Sequence, residues 1–246
     1  MSENIDLTHI YHRNKLLWGA NAQDSLWEKH VAIIGLGGVG SYAVEAVARS
    51  GVGVISILDF DTVDITNINR QLIATTKTIK KPKTEIMAKR ISEINPEIKL
   101  NIHNVFYDSA YNEKLFNTKI DYVIDAIDSI NSKLDLIEYC ITNNIQIVSS
   151  LGTGNRLDPT QLYFTDIEGS KGNLCPFGKK VRLSLKKRGI EKGLTILTSK
   201  EPPIKPDHTI NPDITDNKKP PGSTAFVPPA AGLCLASYVI KKLITD

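Results

Sequence analysis

Short unbroken apolar runs and stretches of helical periodicity take turns along most of this chain. Val31 to Ile34 is a run that ends in glycines and predicts a strand buried on both faces. From Gly38 to Ser50 the apolar Val39, Ala43, Ala46 and Val47 recur at helical spacing. Val54 to Leu58 predicts a second strand, which stops at Asp59. Pro82 suits the first turn of a helix, and Ile86, Met87, Ile91 and Ile94 give that helix an apolar stripe. Ile98 to Ile102 alternates as a strand does, and Tyr122 to Ile124 predicts another buried strand, ending at Asp125. Leu134, Ile137 and Ile141 mark a further helix, followed by a strand over Ile145 to Ser149. This alternation predicts an α/β fold with a doubly wound, mostly parallel Rossmann-like sheet, to which an N-terminal helix and a C-terminal extension are added. Ligands in such sheets sit outside the C-terminal ends of the strands. Those ends carry Gly35, Asp59 and Asp125.

The texture changes after Gly152. Gln161 to Thr165 reads as an extended segment, and Pro176 to Gly189 as a basic amphipathic helix. Lys200 to Gly222 is rich in proline and polar residues and predicts a mobile surface loop. Ala225 to Val239 is apolar but contains Pro228, Pro229 and Gly232, and is short for a membrane span of about 20 residues. It predicts a docked helix without stable membrane insertion, with peripheral contact to a membrane left open. The organisation expected is one domain over residues 1–246. Its nucleotide-binding core covers about 28–152 and an extension for substrate and dimer contacts about 153–246, the mobile loop falling at about 200–222.

Composition adds limits. The chain has 246 residues, is 41% hydrophobic and 23% charged, and carries a net charge of +3. That is an ordinary globular protein whose mild positive charge permits an anionic substrate without requiring one. Cys140, Cys175 and Cys234 lie far apart, with no Cys-x-x-Cys pair, so neither a zinc clip nor a disulfide framework is expected. A cytoplasmic location fits, and Met1 to Asp6 has no positive-then-apolar design of a secretory signal.

Gly35, Gly37 and Gly40 satisfy the dinucleotide fingerprint of a Rossmann-like sheet, with Gly38 inside the same turn. Such a turn brings backbone close to phosphate and places a helix N-terminus, with its free N–H groups, against the negative charge. Asp59 follows at about the 20-residue distance expected of an acid on ribose hydroxyls. These residues predict a nucleotide but do not say which. Arg70 and Lys83 discriminate. In isolation each reads as a solvated cation. Both follow the second strand, however, and fixed cations neutralise a triphosphate and stabilise a departing pyrophosphate, a need that NAD does not impose. Asp125 and Asp128 sit at the end of a buried strand. Asp125 or Ser129 could cap the next helix. Asp128 could point into the cleft, to hold Mg²⁺ or orient an attacking carboxylate. Catalysis is assigned to Asp128 and structure to Asp125.

The glycine turn, Asp59-Phe60-Asp61, Asn67-Ile68-Asn69-Arg70-Gln71, Lys83 and Asp125-Ala126-Ile127-Asp128, in this order, resemble the ubiquitin-activating-type adenylating enzymes. That superfamily includes bacterial activators of sulfur-carrier proteins. The resemblance implies ATP as the nucleotide and attack of a substrate carboxylate on its α-phosphate. It implies that Gly35, Gly37, Gly38 and Gly40 hold phosphates and that Asp59, with Asp61 beside it, serves the ribose side. Asn67, Arg70, Gln71 and Lys83 would line the triphosphate. Ile127 would contact the nucleotide, and Asp128 would be the catalytic acid that binds Mg²⁺. Arg13, within Tyr11-His12-Arg13-Asn14, matches an arginine that reaches across a homodimer into the partner's site.

One branch is the most similar, over about Tyr11 to Leu243. Leu7 to Gly19, Gly152-Thr153-Gly154-Asn155-Arg156-Leu157-Asp158-Pro159, Cys175-Pro176-Phe177 leading to Val181-Arg182, and Gly222-Ser223-Thr224-Ala225-Phe226-Val227-Pro228 resemble the tRNA threonylcarbamoyladenosine dehydratases. The implied reaction is ATP-dependent cyclisation of a threonylcarbamoyl group next to a tRNA anticodon. Absent zinc cysteines, and Ser129 where carrier activators commonly have Asn, agree with this branch. The alternative is an activator of a ubiquitin-like sulfur carrier with Cys175 in sulfur transfer. A packing or capping role is assigned to Cys175, because a helix N-terminus follows it and cyclisation needs no thiol. Lys179, Lys180, Arg182, Lys186, Lys187 and Arg188, with Lys77, Lys80 and Lys81, are candidates for RNA phosphate contacts or simply solvated faces. A cysteine-desulfurase or sulfur-acceptor partner, and a bound monovalent cation (Na⁺ or K⁺), are left open.

Overall fold

A computed structural model describes residues 7, 9–170, 175–207 and 220–245. Two short helices lead the chain, α1 (His12–Trp18) and α2 (Ala20–Trp27), where the sequence reading has one. Gly19, at φ +89, takes the chain from one to the other. Then come β1 (His30–Ile34), α3 (Gly40–Ser50), β2 (Val54–Leu58), α4 (Lys83–Ile94), β3 (Lys99–His103), α5 (Asn112–Leu115) and β4 (Tyr122–Asp125). The second half adds α6 (Ile130–Thr142), β5 (Ile147–Ser150), β6 (Leu162–Asp166), α7 (Pro176–Lys187), β7 (Thr195–Ser199) and α8 (Val227–Thr245).

The strands form one seven-stranded sheet in the order β3-β2-β1-β4-β5-β7-β6. Every pairing is parallel except that of β6 with β7. The expected mostly parallel α/β sheet is therefore present. The order reverses between β1 and β4, which opens a crevice at their C-terminal ends. β1 explains the layering. Val31 and Ile33 point into one core with α3, α4 and α8, and Ala32 and Ile34 into a second core on the opposite face. A continuous apolar strand is what burial on both faces demands.

α8 packs along α3, with Ala231, Leu235, Ala236 and Val239 in the core. A side chain at Gly232 would stand 2.2 Å from the Val39 carbonyl, so its absence permits the close helix approach. The 19-residue α8 is long and apolar enough to cross a membrane, but it is docked on the protein as the sequence predicts. Pro82 lies one step outside α4 as its cap residue, rather than in the first turn. Its backbone bridges Thr62 and fixes the start of that helix.

Of the loop expected to be mobile, residues 208–219 lie outside the described residues. Its flanks differ from a free surface loop. The Glu201 carboxylate accepts N–H bonds from Leu157 and Asp158, both 3.0 Å, and Ile204 donates to the Asn155 carbonyl at 2.7 Å. Asn155 also exchanges two backbone-directed bonds with Gly222. Polar composition made this stretch look solvated, but in its described flanks Glu201, Ile204 and Gly222 fasten it to the loop after β5.

Candidate active site

The crevice is built from the C-terminal ends of β1, β2 and β4. After β1 the chain turns through Gly35 to Gly40, and α3 starts with its N-terminus toward the crevice. A Cβ on Gly40 would meet the Gly35 carbonyl oxygen at 1.7 Å, so only glycine permits this tight turn into the helix. Ser41 braces it, donating to the Gly37 carbonyl at 2.7 Å and accepting the Leu72 N–H at 3.2 Å.

Asp59 follows β2 and is buried. Its two oxygens accept N–H bonds from Leu36 at 2.6 Å and Asp61 at 2.8 Å. Burial raises its pKa; the nearby Lys83 charge and the two N–H donors oppose that. Lys83 sits at the first turn of α4 with its ammonium 2.8 Å from Asp61 and 4.0 Å from Asp59. Asp59, Asp61 and Lys83 are thus one contiguous charged group beside the glycine turn.

Ile65–Asn67 forms a 3₁₀ turn capped by Asp64, and further turns lead on to Gln71. The Asp64 side chain accepts the Thr66 N–H, and the Asn67 side chain accepts the Asp64 N–H at 3.1 Å. Asn67 is buried and caps this turn through its side-chain oxygen. Arg70 lies over the glycine turn, its stem 3.3 Å from where a Gly38 side chain would begin. Its guanidinium donates to the Thr66 carbonyl at 2.8 Å and to Asn69 Oδ1 at 3.0 Å. Burial pulls the Arg70 pKa below its usual range, and the charge of Asp128 pushes it back up. Gln71 is buried beside Gly37 with its Oε1 lacking a hydrogen-bond partner.

The β4 end supplies the other wall. Asp125 is fully buried and accepts the Ile127 N–H at 3.0 Å, while Asp128 is exposed at the mouth, just before α6. Ser129 occupies the cap position of α6 without a side-chain capping bond. Asp125 does not cap that helix either. Its other oxygen lies 2.6 Å from the ammonium of Lys133, a fully buried residue absent from the sequence reading. The signal was a lysine within the apolar stripe of a helix, eight positions after an acid that ends a buried strand.

The structure therefore brings Gly35, Gly37, Gly38, Gly40, Asp59, Asp61, Asn67, Arg70, Gln71, Lys83, Ile127 and Asp128 to one crevice. Arg13 stands elsewhere. Tyr11 and Asn14 bond the Ala48 and Arg49 carbonyls, which places α1 at the far end of α3. An eleven-residue helix spans about 16 Å, so Arg13 cannot join its own chain's site. Its neighbours Leu16 and Leu17 are 70% and 80% exposed.

Among the described residues no three His, Cys, Asp or Glu side chains cluster as a metal cage. One exposed carboxylate at a phosphate site still suits Mg²⁺, which is commonly held by one or two carboxylates and substrate phosphates. Cys175 is buried at the start of α7, where its sulfur accepts the Gly178 N–H at 3.4 Å. The expected capping role is present. At the C-terminal end of α7, Lys186 is paired with Glu191, and Arg188, just past the helix, with Asp135 and Glu138. Those cations are partly neutralised by acids at an exposed surface, on which Lys179, Lys180 and Lys187 are exposed as well.

A family model described as ThiF family matches residues 11–246. The chain belongs to the ThiF family. It is 41% identical over 247 aligned residues to a tRNA threonylcarbamoyladenosine dehydratase of Bacillus subtilis, covering 98% of this chain and 96% of that protein. A crystal structure of Escherichia coli tRNA N6-threonylcarbamoyladenosine dehydratase in complex with ATP matches at a TM-score of 0.86 and 32% identity, over 96% of this chain and 94% of that one. The same enzyme in complex with AMP matches at 0.87 and 32% identity, over 98% of each chain. In this ThiF-family chain the glycine turn, the buried strand-end acid and the basic wall share one crevice.

Proposed function

We propose that this protein is an ATP-dependent tRNA threonylcarbamoyladenosine dehydratase, which cyclises the threonylcarbamoyl side chain next to the anticodon. The observation that carries this is the convergence of the glycine turn, Arg70 over it and the Asp59–Asp61–Lys83 group on one crevice, in a chain similar to such dehydratases from end to end. The glycine turn and the α3 N-terminus receive the phosphates. Asp59 takes the ribose hydroxyls, whose donors favour its ionised form against the cost of burial.

Arg70 and Lys83 neutralise the triphosphate, with Asn67 and Gln71 lining it. The threonyl carboxylate then approaches the α-phosphorus and forms an acyl–phosphate bond as pyrophosphate departs with its electron pair. Mg²⁺, held by Asp128 and the phosphates, would supply further charge neutralisation there. Next, the carbamoyl nitrogen attacks the acyl carbon, loses its proton and displaces AMP, closing the ring. That second step is intramolecular, and well-oriented groups reach effective molarities on the order of 10⁵–10⁸ M. The protein's task in this step is to hold the adenylate away from water.

Arg13 reaches the site from a second copy of the chain in a homodimer. Its place at the far end of α3, beside the exposed Leu16 and Leu17, supports this. Lys179, Lys180 and Lys187 contact the RNA backbone, and the enzyme works in the cytoplasm. Sulfur transfer by Cys175 has no support, because that side chain is buried and caps α7. Incubating the protein with ATP and tRNA bearing threonylcarbamoyladenosine, followed by mass spectrometry of the nucleosides, tests the function. Loss of one water from that nucleoside, with AMP released, is expected. An unchanged nucleoside would refute it.

A further inference from the structure

We infer that Lys133 is a positioning residue for the reaction: by holding the Asp125 carboxylate at the end of β4, it sets the turn that presents Asp128 to the crevice. The inference rests on the reading of Asp128 as the acid at the reacting centre. Lys133 itself touches neither nucleotide nor substrate.

The geometry is complete. The Lys133 ammonium is 0% exposed and meets Asp125 Oδ2 at 2.6 Å, Ser149 Oγ at 3.1 Å and the Ser150 carbonyl at 3.2 Å. Each of its three N–H donors has one acceptor. Ser149 Oγ donates to the same Asp125 oxygen at 2.6 Å. The other Asp125 oxygen accepts the Ile127 N–H at 3.0 Å. One carboxylate thus joins α6, the end of β5 and the backbone of the turn that carries Asp128. The turn is also seated on the glycine loop. Ala126 donates to the Ile34 carbonyl at 2.9 Å, and its own carbonyl lies 2.8 Å from where a Gly35 side chain would begin.

Stability alone does not call for this lysine. A buried ion pair is often no more stable than apolar residues of similar volume. What the pair does supply is direction. A carboxylate fixed at both oxygens can hold a backbone N–H at one orientation, and Asp128 follows that N–H by one residue. Apart from Ile127, the nucleotide-binding parts hang on other elements. Asp59 is bonded to Leu36 and Asp61, and Lys83 to Asp61. Loss of Lys133 should therefore displace Asp128 while leaving ATP binding in place.

The test compares Lys133→Met with wild type in full-length protein. It uses AMP release with modified tRNA, the ATP dissociation constant by calorimetry, and thermal melts. The expected result is a kcat about 100-fold lower, the size of effect a misplacement of about 1 Å can have, with ATP affinity within about twofold. A purely structural role would lower the melting temperature but leave the folded fraction with wild-type kcat. That outcome overturns the proposal, as does a parallel loss of ATP affinity. If Lys133→Met does not fold, Ser149→Ala removes one arm of the same network without stranding a charge. Its kcat should fall about fivefold at unchanged ATP affinity, the scale of one lost hydrogen bond, and a wild-type kcat would overturn the inference. Asp128→Asn in the same assay separates the two readings. An inactive Asp128→Asn beside a fully active Lys133→Met refutes the positioning role alone. An active Asp128→Asn refutes the assignment of Asp128, and with it the role of Lys133.

Discussion

Asp59, Asp125 and Asp128 are chemically identical, and each occurs at or just beyond the end of a buried strand. Their surroundings separate them. Asp59 is held by two backbone N–H groups near Lys83, and Asp125 is locked to Lys133 out of solvent's reach. Asp128 is exposed at the mouth with Arg70 near it. Asp128→Asn should therefore cut turnover by about 10³-fold or more, since the lost group is the one proposed to act at the reacting centre. Its melting temperature should stay within about 2 °C of wild type, as an exposed site predicts; calorimetry and AMP release check the two halves. His30 gives a pH prediction. It is buried, with its ring bonded to the Lys119 carbonyl and to Ser56, and burial lowers its pKa below the usual 6.5. The unfolded chain then binds a proton that the folded chain does not, so stability is full above about pH 6.5 and falls as pH drops toward the lowered value. Urea midpoints at about pH 7.5 and pH 5.5 should show the loss, and His30→Gln should shrink that difference. At this scale the glycines and strand-end acids were legible, because few residue types can do their work. Lys133 was not, since in a chain with 30 basic residues a lysine on a helix reads as solvated, and only burial reveals otherwise.

Apart from the short α5, the βα units up to β5 follow from periodicity, because each helix buries one stripe and the central parallel strands bury both faces, while the edge strand β3 is partly exposed. β7 escaped that reading. Both its faces are buried and they include Thr198 and Ser199, and a strand with buried polar residues shows neither a clean alternation nor an unbroken apolar run. β6 was legible as extended, but not as the antiparallel partner of β7, since pairing depends on residues distant in sequence. The docking of α8 on α3 turns on Gly232. Gly232→Ala would place a methyl 2.2 Å from the Val39 carbonyl. The helices must part, at a cost of about 2 kcal/mol, which for this length lowers the melting temperature by ~5 °C. α3 begins at the glycine turn, so ATP should also bind more weakly. A melting curve and an ATP titration check both, and unchanged values would mean that α8 is not pressed against α3.

The whole molecule raises the question of Arg13, which its own chain keeps at the opposite end of α3 from the crevice. If each site takes Arg13 from the partner, Arg13→Ala and Asp128→Asn are both inactive alone but complement each other when mixed. Half of the chains would pair as mixed dimers with one intact site each, giving about a quarter of wild-type activity. Activity no higher than the sum of the separate variants would exclude sharing between subunits. Taken by itself, the sequence determined the alternation of strands and helices from β1 to β5, the glycine turn, the acids at the strand ends and the resemblance to adenylating enzymes. Those features depend on local stereochemistry and on side-chain spacing within one element. Only the tertiary structure decided that Asp125 pairs with Lys133 and that Arg188 is consumed by Asp135 and Glu138. It alone decided that the flanks of the proline-rich stretch are fastened to the loop after β5, and that Arg13 faces away from its own crevice. Each of these depends on which groups from distant parts of the chain share a desolvated space, and residue type and spacing do not encode that by themselves.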